Sequence, residues 1–292
     1  MGGAEGEAKP GWLRVRMTDQ ASCRHVRDVL KAYNVRSVCD PSHCPNLGEC
    51  WSERSVTFMI LGESCSRSCR FCAVPSGMMR PPDPDEPERI ALAVSDLKLD
   101  HVVITSVSRD DLPDKGAGAF AGTIEAVRRT SDATVEVLVP DLGGDDELLS
   151  VVLNARPDVL GHNVETVRRL QAEVRDPRSS YDVSLGLLRR AKDIDPRTIT
   201  KSSLMLGLGE NDDELKETLV DLREAGVDIV TMGQYLHPAR AELPVAHYIA
   251  PEEFDRWRKE AEELGFSYVS SGPLVRSSYK AAEAYRSVRR GE

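Results

Sequence analysis

Thr57-Phe58-Met59-Ile60-Leu61-Gly62 leads through Glu63 and Ser64 into Cys65-Ser66-Arg67-Ser68-Cys69-Arg70-Phe71-Cys72. A short apolar run closed by glycine is the pattern of a buried strand ending in a turn, so the three cysteines fall in the loop after a strand. The alternation of apolar run and amphipathic stretch then repeats. Candidate strands lie at Val56–Leu61, His101–Val107, Thr134–Pro140, Val159–Asn163, Ile199–Leu206 and Val227–Met232. Candidate helices lie near Glu88–Leu97, Gly118–Arg129, Asp145–Asn154, Glu165–Gln171, Val183–Lys192 and Asp212–Glu224, the last opened by a capping box of Asn211 and Glu214. Nearly continuous apolar strands belong to a parallel sheet covered by helices, joined by right-handed crossovers. Six such units predict an α/β fold, an incomplete (β/α)6 barrel, with function at the C-terminal strand ends.

Cys65-x3-Cys69-x2-Cys72 is short enough to wrap three thiolates around one face of a cubane cluster. Iron–sulfur clusters normally take four cysteines, so three imply a corner iron open to another ligand. A structural zinc knuckle is the alternative, but zinc wants a fourth protein ligand, and no nearby cysteine or histidine completes that tetrahedron. All seven cysteines lie between Cys23 and Cys72, and residues 73–292 contain none. Such clustering points to metal or redox chemistry rather than to disulfide staples. Cys39-x4-Cys44-x5-Cys50 is a second three-thiol loop, kept from helix by its prolines and glycine; Cys23, in a helical pattern near Val26 and Leu30, reads as a buried structural thiol.

The 292 residues are 40% hydrophobic, enough for a substantial core, and carry 38 Lys and Arg against 48 Asp and Glu, a net charge of -10. That balance is opposite to the footprint of a nucleic-acid binder. The pairs Arg168–Arg169 and Arg189–Arg190 read as solvated helix faces. No apolar stretch is long enough to cross a bilayer, the first 20 residues lack a signal-peptide core, and Glu5 and Glu7 argue against a transit peptide. The expected location is cytoplasmic, without a membrane partner. Residues 1–10, small and charged, are expected to be disordered.

The cysteine spacing of three and then two, with Phe71 before the last, resembles the radical S-adenosylmethionine (SAM) superfamily. The resemblance implies a radical SAM barrel in which the cosubstrate fills the open site of a 4Fe–4S cluster held by Cys65, Cys69 and Cys72. Ser203-Leu204-Met205-Leu206-Gly207-Leu208-Gly209-Glu210 resembles the superfamily segment that lies against the adenosyl group, with Ser203 in place of its first glycine, and nominates Gly207 and Glu210. Thr105–Asp111 and His162–Glu165 end two other strands with polar groups, so Phe71, Ser106, Asn163 and Glu165 join the cosubstrate-binding candidates; Asn163 and Glu165 are equally readable as helix caps.

The narrower resemblance is to the lipoyl synthase family, carried by both cysteine loops and by Arg276-Ser277-Ser278-Tyr279-Lys280-Ala281 after the Gly272-Pro273 turn. It extends from Lys9-Pro10-Gly11-Trp12-Leu13-Arg14 to the tail; Asp114-Lys115-Gly116 departs from the family's usual glycine pair. It implies an auxiliary 4Fe–4S cluster held by Cys39, Cys44, Cys50 and Ser278, hence two clusters. An oxygen ligand is harder than thiolate and suits release when a cluster opens; read alone, the serines could merely cap a final helix. The implied organisation is an N-terminal extension over 1–52, a barrel core over 53–240 and a C-terminal extension over 241–292. The implied reaction is insertion of two sulfurs, supplied by the auxiliary cluster, at C6 and C8 of an octanoyl chain on a lysine of a lipoyl carrier protein. The carrier would be the lipoyl domain of a 2-oxo acid dehydrogenase E2 or the glycine cleavage H protein. An electron donor such as ferredoxin or flavodoxin and a cluster-rebuilding iron–sulfur carrier are further implied partners. A radical methylthiotransferase acting on tRNA shares the chemistry but needs a basic surface, and a non-catalytic iron–sulfur scaffold needs no decorated barrel rim.

Overall fold

A computed structural model describes residues 9–14, 20–40, 44–238 and 243–291. The strands are β1 (Ser55–Ile60), β2 (His101–Ser106), β3 (Thr134–Leu138), β4 (Val159–Gly161), β5 (Ile199–Leu206), β6 (Ile229–Gln234) and β7 (Tyr268–Gly272). They pair in parallel in the order β1 to β7, with no ladder closing β7 onto β1 among the described residues, so the barrel is open. Among the described residues, α1 (Gln20–Ala32) and α2 (Leu47–Ser52) precede β1. The crossovers carry α3 (Glu86–Asp96), α4 (Ala117–Thr130), α5 (Asp146–Asn154), α6 (Gln171–Val174), α7 (Tyr181–Ile194), α8 (Asp212–Glu224) and α9 (Pro251–Glu263), and α10 (Ala281–Arg290) ends the chain.

The expected α/β open barrel is present, and the local signals explain its helices. Pro87 and Pro251 occupy first turns, where a missing N–H is harmless. The capping box forms, with Asn211 Oδ1 accepting from Glu214 N–H and Glu214 returning to Asn211 N–H. Ile90, Phe120 and Ile124, with no solvent exposure to speak of, pack α3 and α4 against the sheet, each contributing about 1.5–3 kcal/mol. Cys23 is buried in α1, as expected. The arginine pairs decorate the surface: Arg169 pairs with Glu214, and Arg190 with Asp146 and Asp193.

Four expectations need correction. The helix placed at Glu165–Gln171 does not form there: Glu165, at φ +72°, bridges to β5, its N–H donating to Ser203 O and its carbonyl accepting from Met205 N–H. Helix begins only with a 3-10 turn at Arg168–Leu170 and the four residues of α6. The fourth strand stops at Gly161 rather than Asn163. The short tail strand that the sequence places near Ser267–Val269 runs instead over Tyr268–Gly272 and joins the sheet as a seventh strand beside β6, so the C-terminal segment extends the barrel wall. Cys50 is not in irregular loop but within α2. The disorder expected over residues 1–10 falls mainly on 1–8, outside the described residues, as do Pro41, Ser42 and His43 of the first cysteine loop.

The two barrel ends differ. At the N-terminal end, Val159, Ile199 and Ile229, the first residues of β4, β5 and β6, pack with Ala284, Tyr285 and Val288, so α10 plugs the bottom. Just inside, Lys201 Nζ meets Glu136 Oε1 at 2.7 Å, with His101 beside them, all buried. The C-terminal end carries the loops with the cysteines. No helix among the described residues is long and apolar enough to cross a membrane.

Candidate active site

The path from β1 into the second cysteine loop is a tight turn: Leu61 and Gly62 sit at φ +68° and +101°. A non-glycine residue there stores about 1–3 kcal/mol unless its surroundings hold it. Leu61 is held at both polar groups, its N–H donating to Glu86 Oε2 at 2.9 Å and its carbonyl accepting from Arg109 Nη1 at 3.3 Å. Burial pushes the Glu86 carboxyl upward, opposed by the Leu61 N–H.

The residues between Cys65 and Cys69 are clamped to three strand ends. Arg67, 6% exposed, donates to both oxygens of Asp110 after β2 at 2.8 and 2.9 Å and to both of Asp141 after β3 at 2.5 and 2.7 Å. Ser66 Oγ donates to Asp110 at 2.5 Å, and Ser68 N–H donates to Asp176, beyond β4, at 2.8 Å. Asp176 is in turn gripped by Arg178 at 2.8 Å, whose Nη2 also donates to Ser66 O. Burial disfavours the Arg67 charge, but Asp141 and Asp110 outweigh it and raise its pKa; Arg67 in turn holds Asp110 down to about 2. The hydrogen bonds of Arg178 hold Asp176 well below the carboxylate range.

The thiols within this cage accept backbone hydrogen bonds. Cys65 Sγ accepts from Arg67 N–H at 3.4 Å and Ser108 N–H at 3.3 Å, Cys69 Sγ from Asp176 N–H at 3.3 Å, and Cys72 Sγ from Val74 N–H at 3.4 Å. N–H···S bonds of this kind tune thiolates bound to iron. Burial, then neighbouring thiolates, pushes Cys72 up to about 11, and burial raises Cys69. Three such groups ionise together only against a concentrated positive charge, which a cluster's iron provides. All seven cysteines are free of disulfides, and among the described residues no three His, Cys, Asp or Glu side chains converge on one metal ion. Three free thiols in one loop, each accepting a backbone N–H, are the donor chemistry that an iron–sulfur cluster takes.

The rim candidates divide by what they touch. Ser106 ends β2 with a buried Oγ that has no partner among the described residues, a hydroxyl a ligand would satisfy. Asn163 Nδ2 donates to Glu165 Oε1 at 3.1 Å; burial raises the Glu165 carboxyl. Phe71 packs on the core beneath β5 and β6. Glu210 is occupied by its own loop, accepting from Gly207 N–H at 2.5 Å and Leu208 N–H at 2.9 Å. Ser203 turns its Oγ toward β6, accepting from Thr231 Oγ1 at 2.8 Å. His162 is enclosed, bonded to Val139 O and Ser184 Oγ, and burial depresses it to about 4, so it is a neutral strut. Lys115 takes φ +50° and lays its aliphatic stem over Gly143, so the rim turn keeps the left-handed shape that glycine adopts freely.

The first cysteine loop meets the tail. Cys44 N–H donates to Cys39 O at 3.1 Å and Cys50 N–H to Asn46 O at 2.9 Å, which compacts the loop. Burial and the adjacent thiolates push Cys50 up to about 12. From the far end of the chain, Leu274 O accepts from Asn46 Nδ2 at 2.7 Å and Tyr279 OH donates to Glu49 Oε1 at 3.1 Å. Ser277 and Ser278 are the central residues of the turn closed by Tyr279 N–H donating to Arg276 O at 2.9 Å. The tail crosses β6 at Gly233, where a Cβ would lie 2.0 Å from Val275 O. Sequence reading missed Arg67, Asp141, Asp176, Arg178, Asn46 and Gln234, the last clamping residues 247–249 to β6 through its side-chain amide. Asp110 was legible only as a polar rim residue.

The Radical SAM superfamily profile matches residues 59–222. The chain is 52% identical over 278 residues to a lipoyl synthase from Anaeromyxobacter, covering 95% of both chains. It is 51% identical over 284 residues to a lipoyl synthase from Rubrobacter xylanophilus, covering 97% of this chain and 88% of that one. Its fold is similar to that of methylornithine synthase, with a TM-score of 0.57 at 12% identity over 87% of this chain and 79% of the other.

Proposed function

Because the chain belongs to the lipoyl synthase family of the radical SAM superfamily, whose members are sulfur-inserting enzymes, we propose that it modifies an octanoyl-lysine of a lipoyl carrier protein using two 4Fe–4S clusters. When bound, the clusters and SAM supply reducing equivalents, a hydrogen-abstracting radical and the sulfurs for C6 and C8. Cys65, Cys69 and Cys72 hold one cluster, and the Arg67 cage keeps their loop rigid, so that ligand placement does not drift during turnover. Ser106, Asn163 and Glu165 line the rim for the cosubstrate, with Gly207 and Phe71 shaping its adenosyl side; Glu210 acts by ordering the Gly207 turn. Cys39, Cys44, Cys50 and Ser278 hold the auxiliary cluster. The organisation proposed is 1–52, 53–240 and 241–292, with the third segment contributing both a barrel strand and the serine turn.

The observation that carries this reading is the docking of the tail on the first cysteine loop, through Asn46–Leu274 and Tyr279–Glu49, across more than 220 residues of chain. The proposed setting is the cytoplasm, where thiols stay reduced. A ferredoxin or flavodoxin would supply electrons, and an iron–sulfur carrier would rebuild the spent cluster. The test is anaerobic turnover with an octanoyl-lysyl peptide and mass spectrometry. The native chain should bind about eight irons and add two sulfurs; Ser278→Cys and Cys44→Ala should still yield 5'-deoxyadenosine but no lipoyl product. Normal product from Cys44→Ala would reject the auxiliary role.

A further inference from the structure

Arg276 is a half-buried cation with no carboxylate partner among the described residues. Its Nη1 donates to Val275 O at 2.7 Å and Gln234 O at 3.3 Å, both neutral carbonyls. Among the described residues no carboxylate lies within ion-pair distance of it, whereas Arg67, Arg109, Arg169, Arg178 and Arg256 each have one. The side chain that acts on it electrostatically is the Cys44 thiol of the first cysteine loop. A cation half withdrawn from water and resting on neutral carbonyls is stabilised by an anion nearby. A cubane held by three thiolates and one alkoxide carries net negative charge and needs a cation in turn. Two residues along from Arg276 is Ser278, and the turn between them is closed by Tyr279 N–H on the Arg276 carbonyl. The guanidinium, anchored on the end of β6, thus sits where the tail and the first cysteine loop meet.

We propose that Arg276 is the counter-cation of the auxiliary cluster, a positioning residue that offsets the charge of the Cys39, Cys44, Cys50 and Ser278 ligand set and anchors the serine turn to the end of β6. This rests on the two-cluster reading above. Neither carbonyl partner needs a cation; the cluster does. Removing the positive charge favours the oxidised form, so the midpoint potential falls, and it weakens retention of the cluster.

The experiment uses the full chain with Cys65, Cys69 and Cys72 replaced by alanine, reconstituted anaerobically, so that only the auxiliary set binds iron. With Arg276 intact, about four irons are expected; finding none would reject the two-cluster reading itself. Given four irons, Arg276→Gln should lower the reduced-to-oxidised ratio at a fixed poise by about tenfold, equivalent to a 59 mV shift for one electron, as read by electron paramagnetic resonance during a potentiometric titration. Iron release to a chelator should accelerate severalfold. Arg276→Lys, which keeps the charge, should recover most of both properties. Unchanged potential and chelation in Arg276→Gln would overturn the proposal while leaving the function intact. Equal loss in the Gln and Lys variants would also overturn it, because charge would then not be what matters.

Discussion

Replacing Arg67 with methionine removes the guanidinium from a cage in which it makes bidentate contacts to both Asp110 and Asp141. Arg67 and Asp141 are almost wholly enclosed, with 6% and 1% of their side chains exposed, so water cannot replace the lost contacts. Removing one partner of a buried pair leaves the other uncompensated, at a cost of about 3–5 kcal/mol. An exposed pair would cost only about 0–1 kcal/mol. Anaerobic urea unfolding of the reconstituted protein, followed by circular dichroism, should show the midpoint falling by on the order of 1 M. Asp141→Leu alone should be destabilising as well. The double variant Arg67→Met with Asp141→Leu should be less destabilised than the sum of the two, with a coupling of about 1–3 kcal/mol. A loss below about 1 kcal/mol for Arg67→Met would refute the claim that this network is a closed, dry clamp.

Two further perturbations follow from the same geometry. His162 is depressed to about 4 by burial, so below the unfolded value near 6.5 the unfolded chain binds a proton the folded chain does not; stability should be full above that value and fall between about pH 6.5 and 4 by about 3 kcal/mol, a slope that flattens in a stably folded His162→Gln chain. Gly233→Ala would drive a Cβ into Val275 O, so the tail should be displaced at a cost of about 1–3 kcal/mol, seen as faster proteolysis after Val275 and loss of lipoyl product with 5'-deoxyadenosine retained.

Much of the fold was legible because its cause is local. Apolar runs alternating with amphipathic segments, a capping box at Asn211 and prolines at helix starts each act within a few residues of chain. The misplaced helix at Glu165 is instructive: its composition suits a helix, but its backbone is captured by Ser203 and Met205 of β5, a partner invisible in a local window. The seventh strand was underestimated for the same reason, since Tyr268–Gly272 is short and its place is set by the edge of β6. At the site, the cysteines were legible because ligand chemistry restricts residue type and spacing, whereas Arg67, Asp110, Asp141 and Asp176 carry ordinary surface chemistry until folding removes their water.

By itself, the sequence determined the open α/β barrel and singled out two three-cysteine loops as candidate ligand sets, because periodicity and thiol spacing are properties of short segments. Only the tertiary structure decided that the Arg109-Asp110-Asp111 rim serves as a clamp on the cysteine loop and that Glu210 braces its own turn. It also decided that the chain's last segment lies across Gly233 against the first cysteine loop. The physical reason is that charges and carbonyls acquire their partners, and lose their solvent, only when distant strand ends are brought to one rim.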